Sequence, residues 1–142
     1  MASCTFFGHR KIHGETALKI RDILIDLITN QNVDVFYVGN TGEFDKTVIC
    51  ELDYLSKIYS FSYFVVLAYM PTSKDNYFYK SSVLPEGIEK VPRRFAIVYR
   101  NKWMIKQSDY VVTYVENTVG PNSAKFKELS KKQGKFVIEI SA

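Results

Sequence analysis

Five short runs rich in β-branched and aromatic residues recur along the chain, and segments with helical periodicity fill most of the intervals between them. The runs are Ser3 to Phe7, Val33 to Val38, Tyr63 to Ala68, Tyr110 to Val115 and Phe136 to Ile140. Short, continuous and apolar, they predict strands buried on both faces. Glu15 to Thr29 places Ala17, Ile20, Leu24, Leu27 and Ile28 along one helical face, and Glu43 to Tyr59 does the same with Phe44, Val48, Leu52, Leu55 and Tyr59. Further helices are predicted over Phe95 to Gln107 and over Ser123 to Gln133, the last closed by Gly134 at a C-cap position. Strands begin roughly thirty residues apart, the length of a βαβ unit. The exception is the interval between the third and fourth runs, where Pro71 to Arg94 carries three prolines and many polar residues. Such alternation predicts an α/β fold, a Rossmann-like three-layer domain with a mainly parallel sheet of about five strands. No linker, repeat or low-complexity tract divides the chain, so residues 1–142 are expected to form one domain with an insertion at about 71–94.

Composition narrows the functional classes. Hydrophobic residues make up 46% and charged residues 24%, an ordinary balance for a globular domain. The formal charge of +4 is mild, with lysines and arginines gathered in Lys90 to Lys106 and Lys125 to Lys135. That surplus favours anionic partners but falls short of the basic stripe of a dedicated nucleic-acid binder, and the solvated faces of helices are the preferred reading of such runs. Cys4 and Cys50 lie far apart in apolar surroundings, and are expected to be reduced, buried thiols rather than a disulfide or zinc pair. Met1 to Phe7 lacks the basic region of a signal peptide, and no apolar run approaches a membrane span. A cytoplasmic protein is expected.

The chain breakers fall in register with the strands. Gly8 follows the first, Gly39 the second, Pro71 the third and Gly120 the fourth. In a parallel sheet these positions share one end, where loops and helix N-termini converge on ligands. Glycines there either turn the chain or let backbone approach a ligand, and N–H groups at a helix start favour phosphate. The first loop reads Gly8-His9-Arg10, and Arg10 suits phosphate or carboxylate through bidentate hydrogen bonds. In the second, Gly39-Asn40-Thr41-Gly42-Glu43-Phe44-Asp45, Thr41 stands where a helix N-cap would, Gly42 opens the backbone, and Asp45 is placed to accept from a ribose hydroxyl. The first βα turn lacks the G-x-G-x-x-G fingerprint of dinucleotide binders. His9 and His13 are four apart, a ligand spacing only on a helix, and Gly8 and Gly14 bracket them, so no metal is expected. His9 is expected to hydrogen-bond near the ligand and His13 to face solvent.

The densest mixture of cations and aromatics is Arg93, Arg94, Tyr99, Arg100, Asn101, Lys102, Trp103 and Met104. Trp103 and Met104 are expected in the core, and Arg100 and Asn101 at the site. There is no G-x-S-x-G elbow, P-loop or telling carboxylate pair. The catalytic residues are therefore open, with Arg100 and Glu86 as candidates.

The blocks Cys4 to Arg10, Phe36 to Asp45, Leu84-Pro85-Glu86-Gly87, Arg100 to Met104 and the Gly120 loop together resemble bacterial members of the SLOG superfamily. This Rossmann-like superfamily includes the lonely-guy phosphoribohydrolases, the DNA-processing protein of natural transformation and sensors of nucleotide-derived signals. The resemblance implies a site for a nucleotide or ADP-ribose-like ligand, and oligomers, dimers or higher. It implies a functional arginine at Arg100. The family's glycine-rich loop and following glutamate are replaced here by Val119 to Lys127, with Gly120, Asn122 and Ser123 left as donors and Lys125 and Lys127 in the region of the carboxylate. Hydrolysis through an oxocarbenium-like centre wants that carboxylate.

Three functions follow. A binding module, sensor or sequestering protein, would hold phosphates with Arg10 and the Gly39 and Gly120 loops, a ribose with Asp45, and a base against Tyr69 or Phe44, without a cofactor. A nucleotide phosphoribohydrolase or nucleosidase would orient phosphate with Arg100 and recruit Glu43, Asp45 or Glu86. A single-stranded nucleic-acid binder would show steep salt dependence.

Overall fold

Why the apolar runs become strands is visible in how their side chains divide between two layers. The computed structural model describes residues 2–8, 14–69, 81–114 and 121–140, with side chains in the last stretch from 125 onward. In chain order the elements are β1 (Ala2–Gly8), α1 (Thr16–Thr29), β2 (Val33–Val38), α2 (Glu43–Leu55), β3 (Ser62–Val66), β4 (Ser82–Val83), α3 (Ala96–Gln107), β5 (Tyr110–Tyr114), α4 (Pro121–Lys132) and β6 (Phe136–Glu139). The strands form one six-stranded sheet in the order β4-β3-β2-β1-β5-β6, and every neighbouring pair is parallel. Along β1, Cys4 and Phe6 enter one apolar cluster with α1 and α2 residues such as Leu24 and Leu52, while Phe7 enters another with Met104, Ile105 and Phe126. On β5, Val112 and Val111 divide in the same way. Each alternate residue is thus buried on its own side of the sheet, where a Leu or Phe contributes about 2 kcal/mol. This is the three-layer, Rossmann-like arrangement the spacing predicts.

Helices in such a sheet run back against the strands, so the N-terminus of each helix lies at the strands' carboxyl rim. Chain order moves outward from β1 through β2 and β3 to β4, then returns across β1 to β5 and β6. The order reverses between β1 and β5, and a crevice at the carboxyl ends of those two strands follows from that reversal.

Several boundaries differ from the sequence reading. The 71–94 stretch contributes, within its described part, a sixth strand: two-residue β4, pairing with Val65 and Val66. Periodicity cannot register a strand so short. Two single-turn 3₁₀ helices follow, Ile88–Lys90 and Arg93–Phe95, and the second leads directly into α3. Strand β3 stops at Val66 rather than Ala68, although Leu67 and Ala68 stay buried and the Leu67 N–H donates to Val83 O at 2.8 Å. Helix α2 ends at Leu55, where the Ser56 hydroxyl turns back to Asp53 O at 2.6 Å, instead of continuing to Tyr59. Gly134 closes α4 as expected. It adopts φ +75°, and Lys135 N–H donates to Ser130 O at 3.1 Å, the six-to-one bond of a Schellman cap. Cys4 is buried as expected, but Cys50 is exposed, because the buried face of α2 runs through Phe44, Val48, Leu52 and Leu55. Among the described residues no helix is long and apolar enough to cross a membrane.

Candidate functional site

At the carboxyl rim the chain leaves β2 at Gly39 and enters α2 at Glu43, and the loop between them is built around one arginine. Arg100, on the second turn of α3, is only 1% exposed. Its Nε donates to Asn101 Oδ1 at 3.0 Å, Nη1 to Asn40 Oδ1 at 3.2 Å, and Nη2 to the Thr41 hydroxyl at 3.2 Å. The Thr41 hydroxyl in turn donates to Asp45 Oδ2 at 3.2 Å, and the Thr41 N–H donates to the same oxygen at 3.0 Å. A relay therefore runs from guanidinium through hydroxyl to carboxylate.

Gly39 is the centre of this arrangement. A Cβ built on it would lie 3.0 Å from Arg100 Cζ, 3.0 Å from Asp45 Oδ2 and 3.1 Å from Arg100 Nη1. Neither Gly39 nor Gly42 adopts a left-handed backbone, so turning is not what glycine supplies there. It supplies the absence of a side chain where two buried charges converge. Gly8 is required for a similar reason, since an added Cβ would meet the Phe44 ring at 2.3 to 2.8 Å.

Burial dominates the electrostatics of the pair. It pushes the Asp45 carboxyl above the usual range, against the Thr41 N–H, the Arg100 charge and the Thr41 hydroxyl, which all pull it down. Burial also lowers the Arg100 guanidinium from its ordinary value, against the raising effects of Asp45 and Tyr69. For both partners desolvation is the largest effect, and their mutual attraction offsets part of it. Charged side chains kept at such expense are a recognised mark of functional sites.

The expected site residues are distributed as follows. Gly39, Asn40, Asp45, Arg100 and Asn101 come together in the cluster, and Gly42 opens α2 in extended conformation with φ 176°. Thr41 is not the N-cap. Gly42 holds that position without a side-chain cap, and Asp45 reaches back to the preceding N–H instead. Asp45 Oδ2 is thereby engaged within the protein rather than presented to a ribose. Phe44 is 1% exposed, stacked on Tyr114 at a centroid distance of 5.9 Å and backed by Gly8, so it is a core ring and offers no platform for a base. Tyr69 follows β3 at the rim, half-buried, with the Arg93 guanidinium 4.2 Å from its ring centroid. Glu86 has an exposed side chain, and its carbonyl accepts from Tyr99 Oη at 2.6 Å. Trp103 is half-buried, edge-on to Tyr37, and Met104 is buried, as expected of core residues. His9, Arg10, His13 and Gly120 lie outside the described residues, and Asn122 and Ser123 are placed by backbone alone in the first turn of α4. Near the β1–β5 crevice, Thr113 Oγ1 is buried without a hydrogen-bond partner among the described residues.

Sequence reading assigned Thr41 a different job and gave Arg93 none. The Thr41-to-Asp45 spacing of four was the available signal for the first. For the second no signal exists, because Arg93 meets Tyr69 only through the fold. Among the described residues no group of three or more His, Cys, Asp or Glu is arranged to hold a metal ion. Neither a protein-family model nor a curated protein sequence matches the chain.

Proposed function

We propose that this chain binds a nucleotide-derived small molecule, a nucleotide or an ADP-ribose-like compound, along the carboxyl rim of its sheet, as a sensor or a sequestering protein. The observation that carries this reading is the buried Arg100–Thr41–Asp45 relay closed around Gly39. A buried, hydrogen-bonded pair of charges at the rim where parallel sheets bind ligands supports a ligand site there.

Charge then divides the rim. The first turn of α2 carries Glu43 and Asp45, so its N-terminal dipole is already compensated and disfavours a second anion. Hydroxyl groups, such as those of a ribose, suit the Gly39 to Glu43 loop. The first turn of α4 has no acidic residue, and its last turn carries Lys131 and Lys132. Phosphate suits the crevice between β1 and β5, where β1 ends at Gly8 and α4 begins at Pro121. In this reading Arg100 is a positioning residue that shapes the loop, since its bonds run to Asn40, Thr41 and Asn101. Hydrolysis is the weaker reading. Asp45 is committed to Thr41, and the link from Tyr99 fixes the backbone of Glu86 but not its carboxylate.

A thermal-shift screen against nucleotides, ADP-ribose derivatives and cyclic nucleotides, with chromatography of each mixture, tests the proposal. A ligand at a hundred times its Kd stabilises by about 2.7 kcal/mol, a shift of several degrees. A hit that elutes intact supports binding. A hit returned as free base and sugar phosphate supports a phosphoribohydrolase, and no shift with any compound overturns both.

A further inference from the structure

At the same rim as the relay, one guanidinium lies over a ring, and its side chain is exposed among the described residues. Tyr69 leaves the carboxyl end of β3, and Arg93 opens the 3₁₀ turn Arg93–Phe95 that feeds α3. The turn is set by Pro92, with φ −54°, and closed by the Phe95 N–H donating to Pro92 O at 2.8 Å. It holds the Arg93 Cζ 4.2 Å from the Tyr69 ring centroid, while the Arg93 side chain stays exposed. Its neighbour repeats the pairing, Arg94 Cζ lying 4.8 Å from the half-exposed Phe95 ring. With Phe44 buried, Tyr69 is the remaining ring that the sequence offered for a base, and Arg93 already covers one of its faces.

The geometry points to Arg93 as the base-recognition residue of the rim site: the planar heteroaromatic ring of the ligand stacks on the outer face of the Arg93 guanidinium, giving a Tyr69–Arg93–base sandwich. A guanidinium is planar and weakly hydrated, and one supported from behind by an aromatic ring loses little freedom when a second ring covers its front. Arginine planes serve as stacking surfaces for unpaired bases. Position agrees with chemistry. Strand β3 lies two strands from β1, roughly 10 Å at the spacing of a sheet. A phosphate over β1 and β5 and a sugar over the β2 loop would then bring the base over β3. This inference rests on the proposed function and names which end of the ligand lies where.

Affinities of wild type, Arg93→Ala, Arg93→Lys and Tyr69→Phe for AMP, ADP-ribose and ribose 5-phosphate, measured by calorimetry, test it. Arg93→Ala is expected to weaken AMP and ADP-ribose about tenfold and to leave ribose 5-phosphate unchanged. Arg93→Lys, which keeps the charge and loses the plane, is expected to fall with it, and Tyr69→Phe to retain affinity. Equal weakening of all three probes makes Arg93 a phosphate contact and overturns the stack, as does full affinity in Arg93→Lys or in Arg93→Ala. Failure of the wild type to bind any probe overturns the rim site itself, and this inference with it.

Discussion

Gly39 has room for hydrogen and little else, with a guanidinium carbon and a carboxylate oxygen each 3.0 Å from where its Cβ would stand. Gly39→Ala is expected to destabilise the protein by about 1–3 kcal/mol, as other overpacked sites do, and to abolish ligand-induced shifts by separating Arg100 from the loop. Denaturant unfolding and the thermal-shift screen read the two effects separately. Replacing Arg100 by Met leaves Asp45 buried beside no cation, with an expected loss of about 3 kcal/mol. Adding Asp45→Asn should restore most of that loss, since Asn still accepts from Thr41 and needs no counter-charge; a double variant no more stable than Arg100→Met would contradict the electrostatic account. Because burial raises the Asp45 carboxyl, the folded protein holds that proton more tightly than the unfolded chain. Its contribution to stability is therefore full below the ordinary carboxylate pKa, near 4, and is lost as pH rises through the raised value. In Asp45→Asn that part of the pH dependence should disappear from the unfolding profile.

Between elements, α2 is tied to its surroundings by two side chains near its C-terminal end. Glu51 accepts from Arg21 of α1 at 2.7 Å, and Asp53 Oδ1 accepts from the Tyr63 hydroxyl of β3 at 3.3 Å. Burial, with the Asp53 charge and hydrogen bond added, pushes the Tyr63 phenol up to about 12. The folded state again holds the proton more tightly, so the link stabilises below the unfolded value near 10 and is lost as pH rises from there through about 12. Thermal unfolding of wild type and Tyr63→Phe is expected to differ below pH 10 and to converge above pH 12; parallel profiles across that range would remove the link. Long helices and central strands were legible in the sequence because their periodicity repeats over many residues. Strand β4 was not, since two residues carry no period and its pairing with Val65 and Val66 is a tertiary event. The early end of α2 has a local cause, the Ser56 hydroxyl bond to Asp53 O, which a hydrophobic pattern does not record.

For the whole molecule, the strand order sets the carboxyl ends of β1 and β5 side by side at one crevice, with the end of β2 next to it. We propose, as the resemblance to the SLOG superfamily implies, that the chain assembles into dimers or higher oligomers. Among the described residues the large apolar side chains left exposed are Leu18 at the rim end of α1, Tyr54 and Ile58 at and beyond the far end of α2, Phe95 and Val98 at the start of α3, and Phe136, which opens edge strand β6. Light scattering on the purified protein is expected to give a multiple of 16.4 kDa, and the monomer mass at all concentrations would remove that part of the proposal. The sequence by itself determined the layers, the near order of elements and the rim at which Gly8, Gly39, Arg100 and Asn101 meet, because periodicity and chain breakers are properties of neighbouring residues. Only the tertiary structure decided what those residues do. Phe44 is core because α2 lays it on Gly8 and Tyr114; Asp45 shapes a loop because Thr41 turns back to it; Arg93 covers Tyr69 because a proline-set turn and β3 end side by side. Each of these depends on the direction in which a side chain leaves its element and on what a distant segment brings to meet it, and residue order alone does not carry that information.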